Sequence, residues 1–249
     1  VLHDEISLRG GEKLEDKIYK YLSYGGGINS IAMMILLHHQ NAEFESVFVD
    51  HGGDYPETYE YVEMLQRHFP ITILKTVDDE KLGISLTDYC HKYRIMPSRS
   101  PRWCTAKFKI KPMYRYFKRP CIVYIGFDYG ERHRAKPSED FDVYNENPLI
   151  ERKIDRKGCE KIILDKGLPL PRKSGCFYCP YQKPSEFIHL RDDYPNLWCK
   201  TKRIEDEFLE RRKEKGKKPF YLRDAPLDSL VKEKQTDFFG WRKPCQCGQ

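Results

Sequence analysis

The sequence predicts a doubly wound, mainly parallel α/β sheet followed by a helical, cysteine-bearing appendage. Four short runs, Ile18 to Leu22, Phe44 to Asp50, Ile71 to Lys75 and Cys121 to Phe127, have the length and apolar pattern of strands. Helix-length stretches separate the first three, and the order strand-helix-strand-helix-strand requires parallel pairing through crossovers. From Pro148 onward the chain turns charged, helical and cysteine-bearing, so a boundary is expected between 1–147 and 148–249.

Residues up to about Asp16 form a polar lead-in to which no function is assigned. The first strand runs into Tyr21-Leu22-Ser23-Tyr24-Gly25-Gly26-Gly27-Ile28-Asn29-Ser30, a glycine corner followed by the apolar helix Ile31, Met33, Met34, Leu36, Leu37. A corner free of side chains brings backbone N–H groups close to a bound anion, and the helix N-terminus adds partial positive charge, a geometry suited to phosphate. The second strand ends at Asp50, and Asp50-His51-Gly52-Gly53-Asp54 follows as a loop. Pro56, with Glu57 in the first turn, opens a helix reaching about Phe69. A helix is expected over Leu86 to Tyr93, and Cys90 and Cys121 read as small buried hydrophobes.

Between Ser98 and Pro112, five basic residues crowd one cysteine, Cys104, and such surroundings favour a thiolate. Asp155 to Lys166 reads as a helix carrying Cys159. Gly167 to Pro171 breaks it, and Cys176-Phe177-Tyr178-Cys179 sits in a Gly/Pro loop, the usual way to place two thiolates on one metal. Two more ligands are needed, with Cys104, Cys159 and Cys199 as candidates. Pro184 to Lys217 is amphipathic and helical, with Cys199 a spare core position, and Cys245 and Cys247 lie on a tail expected to be mobile.

At 249 residues, with 44 Lys+Arg against 38 Asp+Glu, the chain carries a net charge of +6, compatible with a phosphate-bearing ligand or nucleic acid. No apolar run is long enough to cross a bilayer, and Val1 to Gly11 is not signal-like. Nine cysteines in such a chain point to a reducing, cytoplasmic setting, where thiols serve metals or catalysis.

The glycine corner has neither the Gly-Lys-Ser/Thr ending of the common nucleotide loop nor dinucleotide-fingerprint spacing. It resembles the PP-loop of the adenine-nucleotide alpha-hydrolase superfamily, Ser-Gly-Gly-x-Asp-Ser, with Gly25 replacing the first serine and Asn29 the aspartate. Val47-Phe48-Val49-Asp50-His51-Gly52 and Pro56-Glu57-Thr58 resemble the corresponding segment of phosphoadenosine phosphosulfate (PAPS) reductases, with His51 replacing a threonine. Gly126-Phe127-Asp128-Tyr129-Gly130-Glu131-Arg132-His133-Arg134 is similar to that family's phosphate-facing loop. Trp103-Cys104-Thr105 with Lys109-Ile110-Lys111-Pro112 looks closer to the branch that includes DNA-phosphorothioation pyrophosphatases.

These resemblances imply ATP or PAPS bound through Ser23, Tyr24, Gly25, Gly26, Gly27, Ile28, Asn29 and Ser30, with Asp50, His51, Gly52, Gly126 and Arg132 around it and Mg2+ as cofactor. Asn29, Ser30, Lys109, Glu131, Arg134 and Cys247 take the catalytic roles. Cys104, Cys159, Cys176 and Cys179 are implied ligands of a [4Fe-4S] cluster, with Zn2+ as the alternative. The activity implied is ATP-dependent sulfur transfer that adenylates an acceptor and releases pyrophosphate. DNA or tRNA is the expected acceptor, with a cysteine desulfurase or other sulfur donor and no membrane partner. The alternatives are a PAPS or adenylyl-sulfate reductase that uses a tail thiol to make sulfite, and a zinc-stabilised nucleotide- or nucleic-acid-binding module.

Overall fold

The computed structural model describes residues 17–231. At its centre is a sheet of β1 (Tyr19–Tyr24), β2 (Glu45–Asp50), β3 (Ile71–Lys75), β4 (Cys121–Ile125) and β5 (Val143–Glu146). The strand order is β3-β2-β1-β4-β5 and every pairing is parallel. The four expected strands are present. β5 was not expected, because only Val143 of its four residues is buried and an edge strand with Tyr144 in solvent shows no apolar pattern.

The order reverses between β1 and β4. Ser23 lies level with Val47 of β2 and Ile125 of β4, so β1 and β4 end within one residue of each other while β2 runs two residues beyond β1. A crevice outside the carboxyl ends at such a reversal is where a doubly wound sheet receives its ligand.

Alternation sends successive side chains to opposite faces. Leu22, Tyr24, Phe48 and Tyr124 pack with α1 (Ile28–His39), α2 (Pro56–Gln66) and α7 (Arg156–Asp165). Tyr21, Val47, Val49 and Val123 pack with Met113 and Phe117 at α5 (Lys111–Tyr116). Being covered by both the sheet and α7, α1 is apolar on nearly all sides, as its sequence requires.

A second core joins α3 (Leu86–Tyr93), α8 (Pro184–Asp193), α9 (Pro195–Glu214) and α10 (Leu227–Leu230) around Phe108, Phe177, Tyr178, Phe187 and Trp198. Each fully buried large apolar side chain contributes on the order of 1.5–3 kcal/mol. The helical stretch expected over Pro184 to Lys217 divides at Pro195, whose missing N–H and fixed φ suit the first turn of α9. Glu205 of α9 is buried and accepts the backbone N–H groups of Leu222 and Leu227, each at 3.0 Å, which fastens the chain after α9 onto it.

Not all helices after residue 148 join this second core. α6 (Pro148–Glu151) and α7 belong to the first, alongside α1. Trp103 to Tyr116, for which no helix was expected, forms α4 (Trp103–Thr105), a π turn (Ala106–Ile110) and α5 in succession.

Candidate functional site

The glycine corner closes on itself through few contacts. Gly25 N–H donates to Ser30 Oγ at 3.4 Å, and Ser30 Oγ–H donates to the Gly27 carbonyl at 2.9 Å. Gly26 has φ +73°, the left-handed region that glycine enters without strain. Gly27 caps α1 without a side-chain hydrogen bond, and no acidic residue lies in the first turn, so the positive end of the helix faces the crevice uncompensated by its own residues. Gly126, at the end of β4, passes so close that a Cβ there would lie 2.8 Å from the backbone N and Cα of Ser30.

Other expected residues at this corner serve through the backbone. Tyr24 and Ile28 point into the first core, and Ser23 Oγ–H donates to Met113 Sδ at 3.5 Å. The Tyr24 ring packs against Phe48, and burial pushes its hydroxyl pKa far up.

Asn29 stands where the resembling motif has aspartate, and its surroundings account for the amide. Its Nδ2 donates to Asp128 Oδ2 and to Glu131 Oε2, both at 2.9 Å, and its Oδ1 accepts from Arg156 Nη1 at 3.3 Å. A third carboxylate at this point would face two others. The carboxylates at this point are those of Asp128 and Glu131, oxygen donors of the kind that fit Mg2+, while Asn29 turns its nitrogen to them and its oxygen to Arg156. Glu131 also pairs with Arg134. Arg134 and Arg132 are exposed on a 3-10 turn (Tyr129–Arg134), stacked over Phe127 and Tyr129 at 4.5 and 4.8 Å.

At the end of β2, Asp50 Oδ1 accepts from Gly52 N–H and Tyr59 O–H, each at 2.9 Å. Gly52 has φ +70°, and a Cβ there would meet that of Ser85 at 2.7 Å. His51 is fully buried. Its Nε2 lies 3.4 Å from Asp54 Oδ2 and 3.7 Å from Cys176 Sγ, while its Nδ1 has no hydrogen-bond partner. Burial lowers its pKa to about 4 against the pull of Asp54, so the ring is neutral.

The four cysteines expected to share a cluster do not come together. Cys104, Cys176 and Cys179 are electrostatic neighbours around Lys109, at the edge of the second core. Cys159 is buried in the first core on α7, where burial and Asp128 push its thiol to about 12. It faces α1 because the apolar stripe of α7 does, so the four-thiolate set that a [4Fe-4S] cluster takes does not fit this arrangement. Lys109 lies on the π turn, a feature frequent at functional sites. Burial opposes its charge, but Asp54 and the three thiols outweigh that and raise its pKa. Cys247 lies outside the described residues, and Cys199 is only half-buried.

Two openings flank these groups. One, about 320 Å³, is lined by Glu57, Thr58, Arg172, Ser174, Cys176 and Cys179. Thr58 and Ser174 also form the wall against Gly26 and Gly27, so the glycine corner and the knuckle border one cleft. The other, about 540 Å³, is lined by Tyr89, Trp103, Lys107, Phe208, Arg212 and Phe220. Asp54, Thr58, Asp128, Arg156 and Ser174 were not singled out from sequence. Asp128 sits within the similar loop and was the most readable of them, whereas Ser174 and Arg156 reach the corner only through tertiary packing. No helix among the described residues is long and apolar enough to cross a membrane.

Two uncharacterized proteins of Methanocaldococcus jannaschii, MJ0973 and MJ0066, are 24% and 23% identical over 196 and 214 residues, or 72% and 76% of this chain. The chain spans less than half of each, 45% and 42%. Among solved structures, a phosphoadenylyl-sulfate reductase from Candida auris in a phosphate complex is 14% identical. It matches 66% of this chain and 84% of its own, with TM-score 0.47. A predicted subunit of tRNA methyltransferase from Methanocaldococcus jannaschii is also 14% identical, over 82% and 90%, with TM-score 0.39. The family model of the phosphoadenosine phosphosulfate reductase domain matches residues 20–161, from β1 through the Asn29 partners and into α7. The chain therefore belongs to the phosphoadenosine phosphosulfate reductase domain family.

Proposed function

We propose that this chain is an ATP-dependent, pyrophosphate-releasing sulfur-transfer enzyme acting on a nucleic acid. The observation that carries the reading is the corner at the sheet's reversal, where the uncapped start of α1 meets Asn29 clamped between Asp128 and Glu131. ATP phosphates would accept from the amides of Gly26 to Ser30, with adenine toward Asp50. Magnesium, held by Asp128 and Glu131, would neutralise charge on the leaving pyrophosphate.

An acceptor oxygen attacks the α-phosphorus, the bond to the β-phosphate oxygen breaks, and an adenylated acceptor remains. A hydrosulfide-level sulfur nucleophile then bonds to the atom bearing that oxygen, and AMP leaves with the oxygen. The chain would contribute position and charge: backbone amides, Arg134 and Arg156 would stabilise phosphate oxygens, and Lys109 would offer its charge to an anionic sulfur. Support for a nucleic-acid acceptor comes from the open groove lined by Trp103, Tyr89, Phe208 and Phe220, where Lys107 lies over the Tyr89 ring and Arg212 over Phe208 and Phe220 as cations for phosphate.

The matched family model favours a second reading, reduction of PAPS to sulfite by a thiol of the chain such as Cys247. The two separate on products. Purified protein given ATP, Mg2+, oligonucleotide and sulfide is expected to release pyrophosphate and AMP. Sulfite from PAPS and reductant, without pyrophosphate from ATP, overturns the first reading in favour of the second.

A further inference from the structure

We propose that His51, Asp54 and Cys176 form a mononuclear binding site for a zinc-like divalent metal ion, to which Cys159 does not contribute. The site lies at the join of the sheet and the second core, and it neither requires nor follows from ATP turnover.

The three ligand atoms all lie within 4.8 Å of one another, the one such grouping of histidine, cysteine and acid among the described residues. Two separations are known individually, 3.4 Å from His51 Nε2 to Asp54 and 3.7 Å from Nε2 to Cys176 Sγ. A tetrahedral ion with ligand bonds of about 2.0–2.3 Å sets its donors roughly 3.4–3.8 Å apart, so these are the spacings a single ion would impose. The 3.4 Å separation is long for an N–H···O hydrogen bond, typically about 2.9 Å, whereas 3.7 Å to sulfur is a distance that a sulfur hydrogen bond also spans.

A Cys-His-Asp relay is excluded by which nitrogen is used. A relay needs the thiol on one ring nitrogen and the carboxylate on the other. Here both converge on Nε2, which carries at most one proton and cannot donate well to two acceptors. Among the described residues the opposite nitrogen, Nδ1, has no hydrogen-bond partner although His51 is fully buried, so the contact with Cys176 is the ring's one hydrogen bond there. Metal ligation through Nε2 would use the nitrogen that the other two donors already face.

The backbone holds this geometry before any ion arrives. Asp54 and Cys176 pair as an isolated antiparallel bridge, and Phe177 N–H donates to the Gly53 carbonyl at 3.0 Å. Cys179 N–H donates to the Cys176 carbonyl at 3.0 Å, which shapes the knuckle. Nitrogen, oxygen and one sulfur donor together match a borderline ion such as zinc, and three protein ligands leave a fourth position for water, Cys104 or Cys179.

The test uses the full chain, stripped of metal under reducing conditions and titrated with Zn2+ or Co2+ alone. One ion per chain is expected, with tetrahedral cobalt bands and a thiolate charge-transfer band. Outer-shell changes cost about 10–100-fold in metal affinity, so direct ligand losses in His51→Ala, Asp54→Asn and Cys176→Ser should each cost at least about 100-fold. Cys159→Ala should bind as wild type. Since a buried variant can fail to fold, X-ray absorption of the zinc-loaded wild-type chain gives an independent reading, a mixed nitrogen, oxygen and sulfur shell. A shell of four sulfurs, iron with acid-labile sulfide that depends on Cys159, or absence of stoichiometric metal overturns the proposal.

Discussion

Replacing Gly126 by alanine tests whether the close approach of β4 and α1 sets the phosphate-binding corner. The added Cβ would stand 2.8 Å from the Ser30 backbone N and Cα and 3.0 Å from the Asn29 carbonyl carbon, against an ordinary contact of 3.4–4 Å. These are backbone atoms and cannot rotate away, so the helix start must retreat by about 0.6 Å or more, an overpacking that costs about 1–3 kcal/mol. The retreat carries the Ser30 and Asn29 amides off their line to the ligand, and a displacement approaching 1 Å costs up to about 100-fold. Gly126→Ala should therefore melt lower and bind a non-hydrolysable ATP analogue about 10–100-fold more weakly by titration calorimetry. Gly25→Ala is the control, because its Cβ meets nothing within 4 Å and the resembling motif carries serine there. Equal affinity in Gly126→Ala and wild type, or equal losses in the two variants, would refute the reasoning.

Three more outcomes follow from the same contacts. Asn29→Asp, which restores the motif's acid, should destabilise the metal-free chain by about 2–4 kcal/mol, since two donors to carboxylates become a repulsion. Melting with and without Mg2+ should show a larger magnesium shift in the variant than in wild type, and identical shifts would count against the carboxylate cluster. Glu57 accepts from Tyr194 and Arg172; burial opposes its charge, but these partners hold its pKa below the ordinary 4.5. That stability is present above 4.5 and lost as pH falls through the lower folded value, so Glu57→Gln should cost about 1 kcal/mol at neutral pH and converge with wild type in acid. A denaturation difference that stays constant with pH would contradict this. Glu205→Ala leaves the Leu222 and Leu227 N–H groups buried without acceptors, at about 1–3 kcal/mol each, and an unchanged denaturation midpoint would mean that they find other partners.

The sheet was readable because β1 to β4 carry unbroken apolar or alternating runs, and the glycine corner because three consecutive glycines between strand and helix have few other uses. β5 was hidden by its exposed edge, and the helix through Cys104 by its basic residues, which also suit a solvated loop. The metal expectation went astray at Cys159 for a physical reason. Spacing along the chain cannot say whether a cysteine on a helix faces a metal or a neighbouring helix, and α7 turns Cys159 toward α1. His51, read from sequence as a nucleotide neighbour, is fully buried with its ring beside Cys176, a tertiary contact that the sequence does not display. Asn29 looked like a lost metal ligand until Asp128 and Glu131, about a hundred residues later, were found beside it.

A crystal structure of the chain with Mg2+ and a non-hydrolysable ATP analogue tests the central claim most directly. The account predicts β- and γ-phosphate oxygens within hydrogen-bond distance of the backbone amides of Gly26 to Ser30, and the metal on Asp128 and Glu131. Phosphates seated instead on Arg172 and Lys173 in the neighbouring cleft, with the glycine corner vacant, would contradict it.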